Sequence, residues 1–195
     1  MGTADGVQPL QLEQFATRLL HAAVTPHRLA HLVADIIGDE IRFGPVDVGP
    51  GGIASAAGRG RCGEVTAYRG DEPGMLSVRI PLAVRVTVRL PMRLIRFHAE
   101  AVVRLSLRVV PCEPLAVNIV IAEPSADDVL LTLSMSPLTR VLLSAAGDVE
   151  SMLVGYICEY VRNILNSPQT RRYTQIDLAD LIDRAWENDL IVQAS

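Results

Sequence analysis

The chain of 195 residues contains no lysine, and all 18 of its basic residues are arginine. Arginine codons are GC-rich and lysine codons are not, so this bias indicates a GC-rich genome such as that of an actinobacterium. The 22 acidic residues give a formal net charge of −4 and a pI near 5.5. Because binding to nucleic acid depends on an excess of basic groups, this balance argues against a nucleic-acid partner.

Aromatic residues and paired cysteines are scarce as well. Aromatics make up only 4% of the chain, so a core has to be built from the Leu, Val, Ile and Ala residues that dominate its 49% hydrophobic content. The three cysteines, Cys62, Cys112 and Cys158, are odd in number, far apart and without the spacing of a zinc site. We expect reduced thiols, and neither a metal nor a cofactor.

Long apolar runs and a targeting segment are also missing. No uncharged apolar run reaches the length of about 18 residues that a transmembrane helix needs. The start of the chain, MGTADGVQPLQLEQF, lacks the basic region and apolar core of a secretory signal. We therefore expect a cytoplasmic protein. The length favours a single domain over residues 1–195, since single cores commonly span about 100–200 residues.

Helical periodicity marks both ends of the chain. Residues 10–38 carry two apolar stripes, of which the second begins after Thr25-Pro26 and ends at Gly38. A capping threonine followed by proline, and a glycine at the end, are typical limits of a helix. Residues 137–187 show the same 3-4 spacing of apolar residues and are predicted to be helical.

Between the helical parts, residues 41–134 alternate with a period of two, which is typical of strands. Two strands, near 78–90 and 97–109, are about a dozen residues long against a usual five or six. The phase of alternation changes near 91–96, which predicts a turn or bulge there. The expected fold class is α+β: a long, strongly twisted antiparallel β-meander flanked by N-terminal helices and long C-terminal helices.

The segment Gly58-Arg59-Gly60-Arg61-Cys62-Gly63 matches the dinucleotide pattern GxGxxG. A nucleotide site needs a strand before these glycines and a helix after them, so that the phosphate meets the helix N-terminus. The residues that follow, EVTAYRG, have the pattern of a strand instead. We interpret the glycines as positions of close packing within a sheet.

Two groups of polar residues have spacings that chemistry could use. His27 and His31, with Asp35 on the same helical stripe, could chelate zinc, but no third ligand stands out and partly exposed structural residues are favoured. His98 and Glu100 are the candidate catalytic pair if the protein is an enzyme, since a histidine and a carboxylate in a hydrophobic cleft can act as general acid and base. On an exposed sheet face they are only a solvated pair, which is the interpretation we favour.

The two faces of the long strands are predicted to differ, one being positively charged and the other aliphatic. One face carries five arginines: Arg79, Arg85, Arg89, Arg104 and Arg108. Their charges repel one another unless they are paired with an acidic helix surface, bound to an anionic ligand such as a lipid headgroup, or solvated. Internal pairing or plain solvation is the simpler of these interpretations. The other face is aliphatic, and with the C-terminal helix it encloses either a filled core or an elongated apolar cavity. The candidate ligand-binding residues are Leu82, Val84, Val86, Val88, Val103, Leu105, Leu107, Leu153, Tyr156 and Tyr160.

The order of an N-terminal helix, a long twisted meander and a long C-terminal helix resembles the tubular lipid-binding (TULIP-like) proteins, in particular their small actinobacterial relatives. The similarity covers residues 26–134, including the strands GRGRCGEV and VRIPLAVRVTVRL. It implies a cavity between sheet and helix for an acyl chain or another hydrophobic molecule, and it implies no catalytic residues. The tail SPQTRRYTQIDLADLIDRAW lies outside the resemblance.

Three hypotheses about function remain open at this point. The first is binding of a lipid or other hydrophobic small molecule between sheet and helices, which requires a cavity larger than one water molecule. The second is a cofactor-free cyclase or isomerase acting on a hydrophobic, polyketide-like substrate, which requires His98, Glu100, Glu64 or a tyrosine to point into that cavity. The third is a homodimer formed through apolar surfaces.

Overall fold

The computed structural model describes residues 10–48, 52, 54–72, 74–144 and 148–188. Its helices are α1 (Leu12–Ala23), α2 (Pro26–Ile37), α3 (Pro137–Ser144), α4 (Val149–Leu165), α5 (Pro168–Thr174) and α6 (Leu178–Glu187). Its strands are β1 (Glu40–Val48), β2 (Ala54–Cys62), β3 (Thr66–Arg69), β4 (Met75–Leu90), β5 (Arg93–Cys112), β6 (Ala116–Ile121), β7 (Val129–Ser134) and β8 (Gln175–Asp177). Helices at both ends and strands between them confirm the α+β prediction, and β8 is an unpredicted addition among the C-terminal helices.

Local start and stop signals set the limits of α2. The Thr25 hydroxyl accepts a hydrogen bond from the Arg28 N–H at 3.3 Å, and Pro26 occupies the first turn. Gly38 ends the helix at φ 74, a conformation that residues with a side chain rarely adopt. The apolar stripe of α2 is thereby held against the sheet, where it buries Leu29, Val33 and Ile37.

The terminal helices α1 and α6 lie at the surface. Neither has a buried residue, and Leu12 and Phe15 of α1 are 82% and 53% exposed. No helix within the described residues is both long enough and apolar enough to cross a lipid bilayer. These helices therefore present apolar side chains to their surroundings.

A long hairpin of β4 and β5 forms the centre of the sheet. The two strands have 16 and 20 residues, more than the dozen predicted. They pair antiparallel from Leu90 opposite Arg93 to Met75 opposite Arg108, and residues 91–92 make the turn. Because each buried residue of β4 is opposite a buried residue of β5, the hairpin has one continuous buried face and one continuous exposed face.

Each long strand has two shorter partners placed end to end. On β4, β2 pairs with residues 82–89 and β3 with residues 76–79. On β5, β7 pairs with residues 98–103 and β6 with residues 107–112. The strand order is β1-β2-β4-β5-β6-β8, all antiparallel, with β3 and β7 beside the path. The sheet departs from a simple meander because β7 returns to β5 and does not extend beyond β6.

The described helices pack on one face of the sheet, which we call the inner face. It consists of seven side chains from each long strand, none more than 7% exposed: Leu76, Val78, Ile80, Leu82, Val84, Val86, Val88, Ile95, Phe97, Ala99, Ala101, Val103, Leu105 and Leu107. Leu29 and Val33 of α2 and Leu153 of α4 join the same core. Since burial of such a side chain stabilises the fold by about 1.5–3 kcal/mol, the aliphatic face is the one that the helices cover. The opposite, outer face meets solvent.

The glycine-rich segment lies on β2, between β1 and β4. A Cβ at Gly58 would lie 2.0 Å from Cε1 of Phe43, and one at Gly60 would lie 2.7 Å from the carbonyl oxygen of Ala83. The next element after β2 is the strand β3. The interpretation of close packing is confirmed, because the glycines make room for neighbours and no helix N-terminus follows them in this described part of the chain.

Candidate functional site

An apolar cleft lies where α4 crosses the inner face of the sheet. Its enclosed space is about 20 Å³, enough for a single water at roughly 10–15 Å³ each. The wall combines residues of β1, β4, β5, β7 and α4: Ile41, Phe43, Leu82, Val84, Ala99, Leu131, Leu153, Tyr156, Ile157 and Tyr160. The core around it is filled by side chains, as most protein interiors are. The cavity larger than one water molecule that the binding hypothesis requires is therefore not open in this state among the described residues.

Two aromatic rings form one wall of this cleft. Phe43 of β1 stacks on Tyr156 of α4 with ring centroids 5.8 Å apart and planes 11° from parallel. The Phe43 ring in turn occupies the space above Gly58. Gly58 of β2, Phe43 of β1 and Tyr156 of α4 are thus stacked in that order. The absence of a side chain at Gly58 determines how closely the Phe43 ring can approach β2.

The cleft is uncharged at neutral pH. Burial raises the pKa of the Tyr160 phenol, and the nearby Cys62 thiol adds to the rise. Burial also raises the pKa of the Cys62 thiol, with a contribution from Asp39. Both groups therefore stay protonated, which keeps this region suited to an apolar occupant.

The candidate ligand-binding residues divide into two groups. Five of the ten line the cleft: Leu82, Val84, Leu153, Tyr156 and Tyr160. The others are buried in the filled part of the core, along the same strands: Val86, Val88, Val103, Leu105 and Leu107. Sequence reasoning missed Ile41, Phe43, Ala99, Leu131 and Ile157 as lining residues. Alternation or helical spacing could indicate which way these residues face, but only strand register brings them to one place.

His98 and Glu100 lie on the outer face, across the sheet from the cleft. Both are exposed, and their neighbours on β4 are Arg85 and Ala83. Glu64 is exposed as well. Of the polar groups that the enzyme hypothesis requires at the cavity, only tyrosines are found there among the described residues, so His98 and Glu100 are placed as a solvated pair.

The histidines of α2 form a close pair without further ligands. Nε2 of His27 and Nε2 of His31 are 3.3 Å apart, and both side chains are exposed. Within the described ranges, no group of three or more histidine, cysteine or acidic side chains could hold a metal ion. The geometry agrees with partly exposed structural residues.

A larger groove beside α4 is open and polar. It has a volume of about 540 Å³ and includes Asp148, Arg162 and Pro124 in its wall. Two of its charged groups are already engaged: Asp148 accepts the hydrogen bond that begins α4 from the Ser151 N–H at 3.1 Å, and Arg162 pairs with Glu123 at 3.1 Å. These contacts connect α4 to the protein and do not converge on a ligand position.

The outer face brings together more arginines than the sequence predicted. The five predicted ones are exposed there, and strand register adds four from β1, β2 and β5. We call this set the arginine face: Arg42, Arg59, Arg61, Arg79, Arg85, Arg89, Arg96, Arg104 and Arg108. Arg42, Arg59 and Arg85 occupy one row across three adjacent strands.

Most of these charges have no ionic partner. In the described residues, one ion pair lies on the arginine face, between Arg42 and Glu40 at 2.6 Å, and it lowers the pKa of the Glu40 carboxyl. Of the two simpler interpretations, internal pairing with the C-terminal helices is not found among the described residues: α4 packs on the inner face, and Asp180 of α6 pairs with Arg184 of its own helix. The alternative of plain solvation agrees with the exposure of the remaining side chains.

Comparisons with known proteins identify no family. No family model matches the chain, and no curated protein matches it. Among solved structures, a crystal structure of lipopolysaccharide binding protein matches over 81% of this chain at 15% identity, with a TM-score of 0.27. The chain spans 38% of the length of that protein. A TM-score this low is a weak resemblance and does not establish a common fold, so the likeness to tubular lipid-binding proteins stays an expectation from the sequence.

Proposed function

We propose that the protein binds a hydrophobic small molecule, such as a lipid acyl chain, in the cleft between α4 and the inner face of the sheet. The observation that carries the proposal is the composition of the cleft wall, which is aliphatic and aromatic with two tyrosines as its polar members. Small apolar cavities are poorly hydrated and accept apolar molecules in place of water.

A ligand larger than one water has to widen the cleft, because the space in this state is about 20 Å³. The α4 residues at the cleft are the ones best suited to move. Tyr156, Ile157 and Tyr160 are only half-buried, so they lose less packing than Leu153, which is 2% exposed. Binding is therefore expected to shift α4 outward from β1 and to separate Phe43 from Tyr156.

A cofactor-free cyclase or isomerase remains the alternative function, and its chemistry would depend on the tyrosines. Because burial raises the pKa of Tyr160, this phenol stays protonated at neutral pH and can donate a hydrogen bond. It cannot serve as a base in that state, and neither His98 nor Glu100 is on the cleft side of the sheet. Binding without turnover is the function that the geometry favours.

The test combines detection of a native ligand with two variants of opposite effect. Native mass spectrometry of gently purified protein, followed by organic extraction, is expected to release a hydrophobic molecule. Binding is then measured by fluorescence titration with cis-parinaric acid, a fluorescent fatty acid. Ala99→Val narrows the cleft and should weaken binding, whereas Ile157→Ala widens it and should strengthen binding, each by about three- to tenfold.

Each variant has a matched control outside the cleft. Ala83→Val makes the first change on the outer face, and Val154→Ala makes a similar truncation of a β-branched side chain elsewhere on α4. A loss of stability cannot by itself produce opposite changes in affinity. Absence of binding to both the unmodified protein and Ile157→Ala, or equal changes in the controls, would overturn the proposal.

A further inference from the structure

The arginine face concentrates positive charge on a chain whose formal net charge is −4. Nine guanidiniums share this face with four carboxylates: Glu40, Asp47, Glu100 and Asp128, of which Asp128 lies close enough to Arg104 to interact with its charge. The excess of acidic residues therefore lies on the other parts of the protein. Such a separation orients the molecule in the field of an anionic surface, even though the whole chain is acidic.

Like charges on this face are placed directly opposite one another. Arg59 pairs in register with Arg42 on one side and with Arg85 on the other, and Arg79 of β4 is opposite Arg104 of β5. Neighbouring strands are only about 4.7–4.9 Å apart, and like charges in such pairs destabilise a sheet. Charges of alternating sign would be solvated equally well and would destabilise the sheet less. The arrangement of arginines therefore favours a partner with many negative charges.

The tip of the β4–β5 hairpin adds exposed apolar side chains to this charge. Met92 is 94% exposed and Leu94 is 48% exposed. Arg89 is directly opposite Leu94, and along β5 Arg93 precedes Leu94 and Arg96 follows it. Apolar side chains flanked by arginines suit the boundary of a bilayer, where the former reach the acyl region and guanidiniums meet phosphates.

Nucleic acid is the other polyanion that an arginine-rich face could meet, and the composition of the face disfavours it. Single-stranded nucleic acid is held by several aromatic side chains on which bases stack. Of Phe, Tyr and Trp, the described residues of the outer face include Tyr68 alone, at the edge strand β3. Contact with a hydrated phosphate backbone would not remove the exposed Met92 and Leu94 side chains from water, so it would not stabilise the complex.

We propose that the arginine face and the Met92–Leu94 tip together dock on a phospholipid bilayer that carries anionic headgroups. Arginine suits this role because its planar fork binds phosphate oxygens through two parallel hydrogen bonds. The surface is on the opposite side of the sheet from the cleft, so this inference does not depend on the proposed ligand binding.

The first experiment measures sedimentation of the full chain with vesicles of phosphatidylcholine, with and without an equimolar amount of phosphatidylglycerol. We expect binding only to the anionic vesicles, and a decrease as salt shortens the Debye length from about 10 Å at 0.1 M. The double variant Arg59→Gln/Arg85→Gln should weaken binding about 25-fold, at roughly fivefold per arginine. Its fold should be at least as stable, because the substitutions remove repulsion.

The matched control is Arg171→Gln/Arg172→Gln on α5, which changes the net charge equally but lies off the arginine face. This control should bind vesicles within about twofold of the unmodified protein if the position of the charge matters. Met92→Ser tests the apolar part and should weaken the binding that persists at high salt. Both arginine variants should bind cis-parinaric acid normally, which separates this inference from the proposed function.

Three outcomes would overturn the docking proposal. One is no binding of the unmodified protein to anionic vesicles at low salt. Another is an equal loss of binding in the control on α5, which would show that net charge alone is responsible. The third is tighter binding to single-stranded DNA than to the vesicles, with no effect of Met92→Ser, which would assign the face to nucleic acid.

Discussion

The ring of Phe43 takes the space that a side chain at position 58 would need, since a Cβ built on Gly58 would come within 2.0 Å of its Cε1. The same ring stacks on Tyr156 at 5.8 Å. A glycine of β2 thus sets the distance between β1 and α4 at the cleft. Its conformational freedom is not what matters here; the absence of a Cβ is.

Substitution of Gly58 by alanine should therefore destabilise the protein and disturb the cleft together. The added methyl group forces Phe43 away from its place, and overpacking of this kind costs about 1–3 kcal/mol. Urea denaturation measures the change in free energy of unfolding. Gly155→Ala on α4 is the control: a Cβ there meets nothing within 4 Å, so alanine should stabilise the helix by about 0.5–1 kcal/mol. Equal effects of the two substitutions would contradict this account of Gly58.

Acid should weaken the turn that contacts α4 through Cys158. Hydrogen bonds from the Ser125 N–H and hydroxyl, at 2.8 and 2.7 Å, lower the pKa of the Asp128 carboxyl. The Cys158 thiol of α4 donates to the Ser125 carbonyl oxygen at 3.3 Å. A lowered pKa in the folded state means that the stabilisation is present above the unfolded value, near pH 4, and is lost as the pH falls through the folded value.

The corresponding variant is Asp128→Asn, compared with the unmodified protein by thermal unfolding at pH 7 and at pH 3. The unmodified protein should be the more stable of the two at pH 7, and the difference should shrink at pH 3. Asp127→Asn, one residue earlier on the same short 3-10 helix, serves as the control because Asp127 makes no side-chain hydrogen bond to Ser125. A difference that does not depend on pH would show that the charge of Asp128 is not responsible.

Self-association, if it occurs, should depend on the apolar side of α1. Leu12, Phe15 and Leu19 follow a helical spacing and are 82%, 53% and 39% exposed. Phe15→Glu should convert a dimer to a monomer in analytical ultracentrifugation while leaving the melting temperature of the monomer nearly unchanged, since α1 buries no residue. A strictly monomeric unmodified protein would exclude the homodimer, and dissociation caused equally by Thr17→Glu would show that any added charge suffices.

Local sequence patterns were sufficient to predict the two faces of the central hairpin and the limits of α2. The alternation of β4 and β5 separated inner from outer residues because successive side chains of a strand point to opposite faces. The limits of α2 followed from Thr25, Pro26 and Gly38, whose effects act within one turn of helix. These features depend on neighbours in the chain, so they can be deduced without knowing what packs on them.

Which residues line the cleft could not be deduced from local sequence patterns. Ile41, Ala99 and Leu131 meet at the cleft through the pairing of strands that are far apart in sequence. Half of the proposed lining residues, among them Val88 and Leu107, are in the filled core instead, because alternation gives the face of a residue but not its place along the sheet.

The sequence by itself determined the α+β class, the long central hairpin and the two unlike faces of that hairpin. Only the tertiary structure decided that β3 and β7 pair with the hairpin, that the helices cover the aliphatic face and that the arginine face extends to Arg42 and Arg59. It also decided the size of the cleft. The physical reason is that side-chain direction is a local property of the backbone, whereas lateral register and residual volume depend on long-range pairing and on how closely distant side chains fill the core.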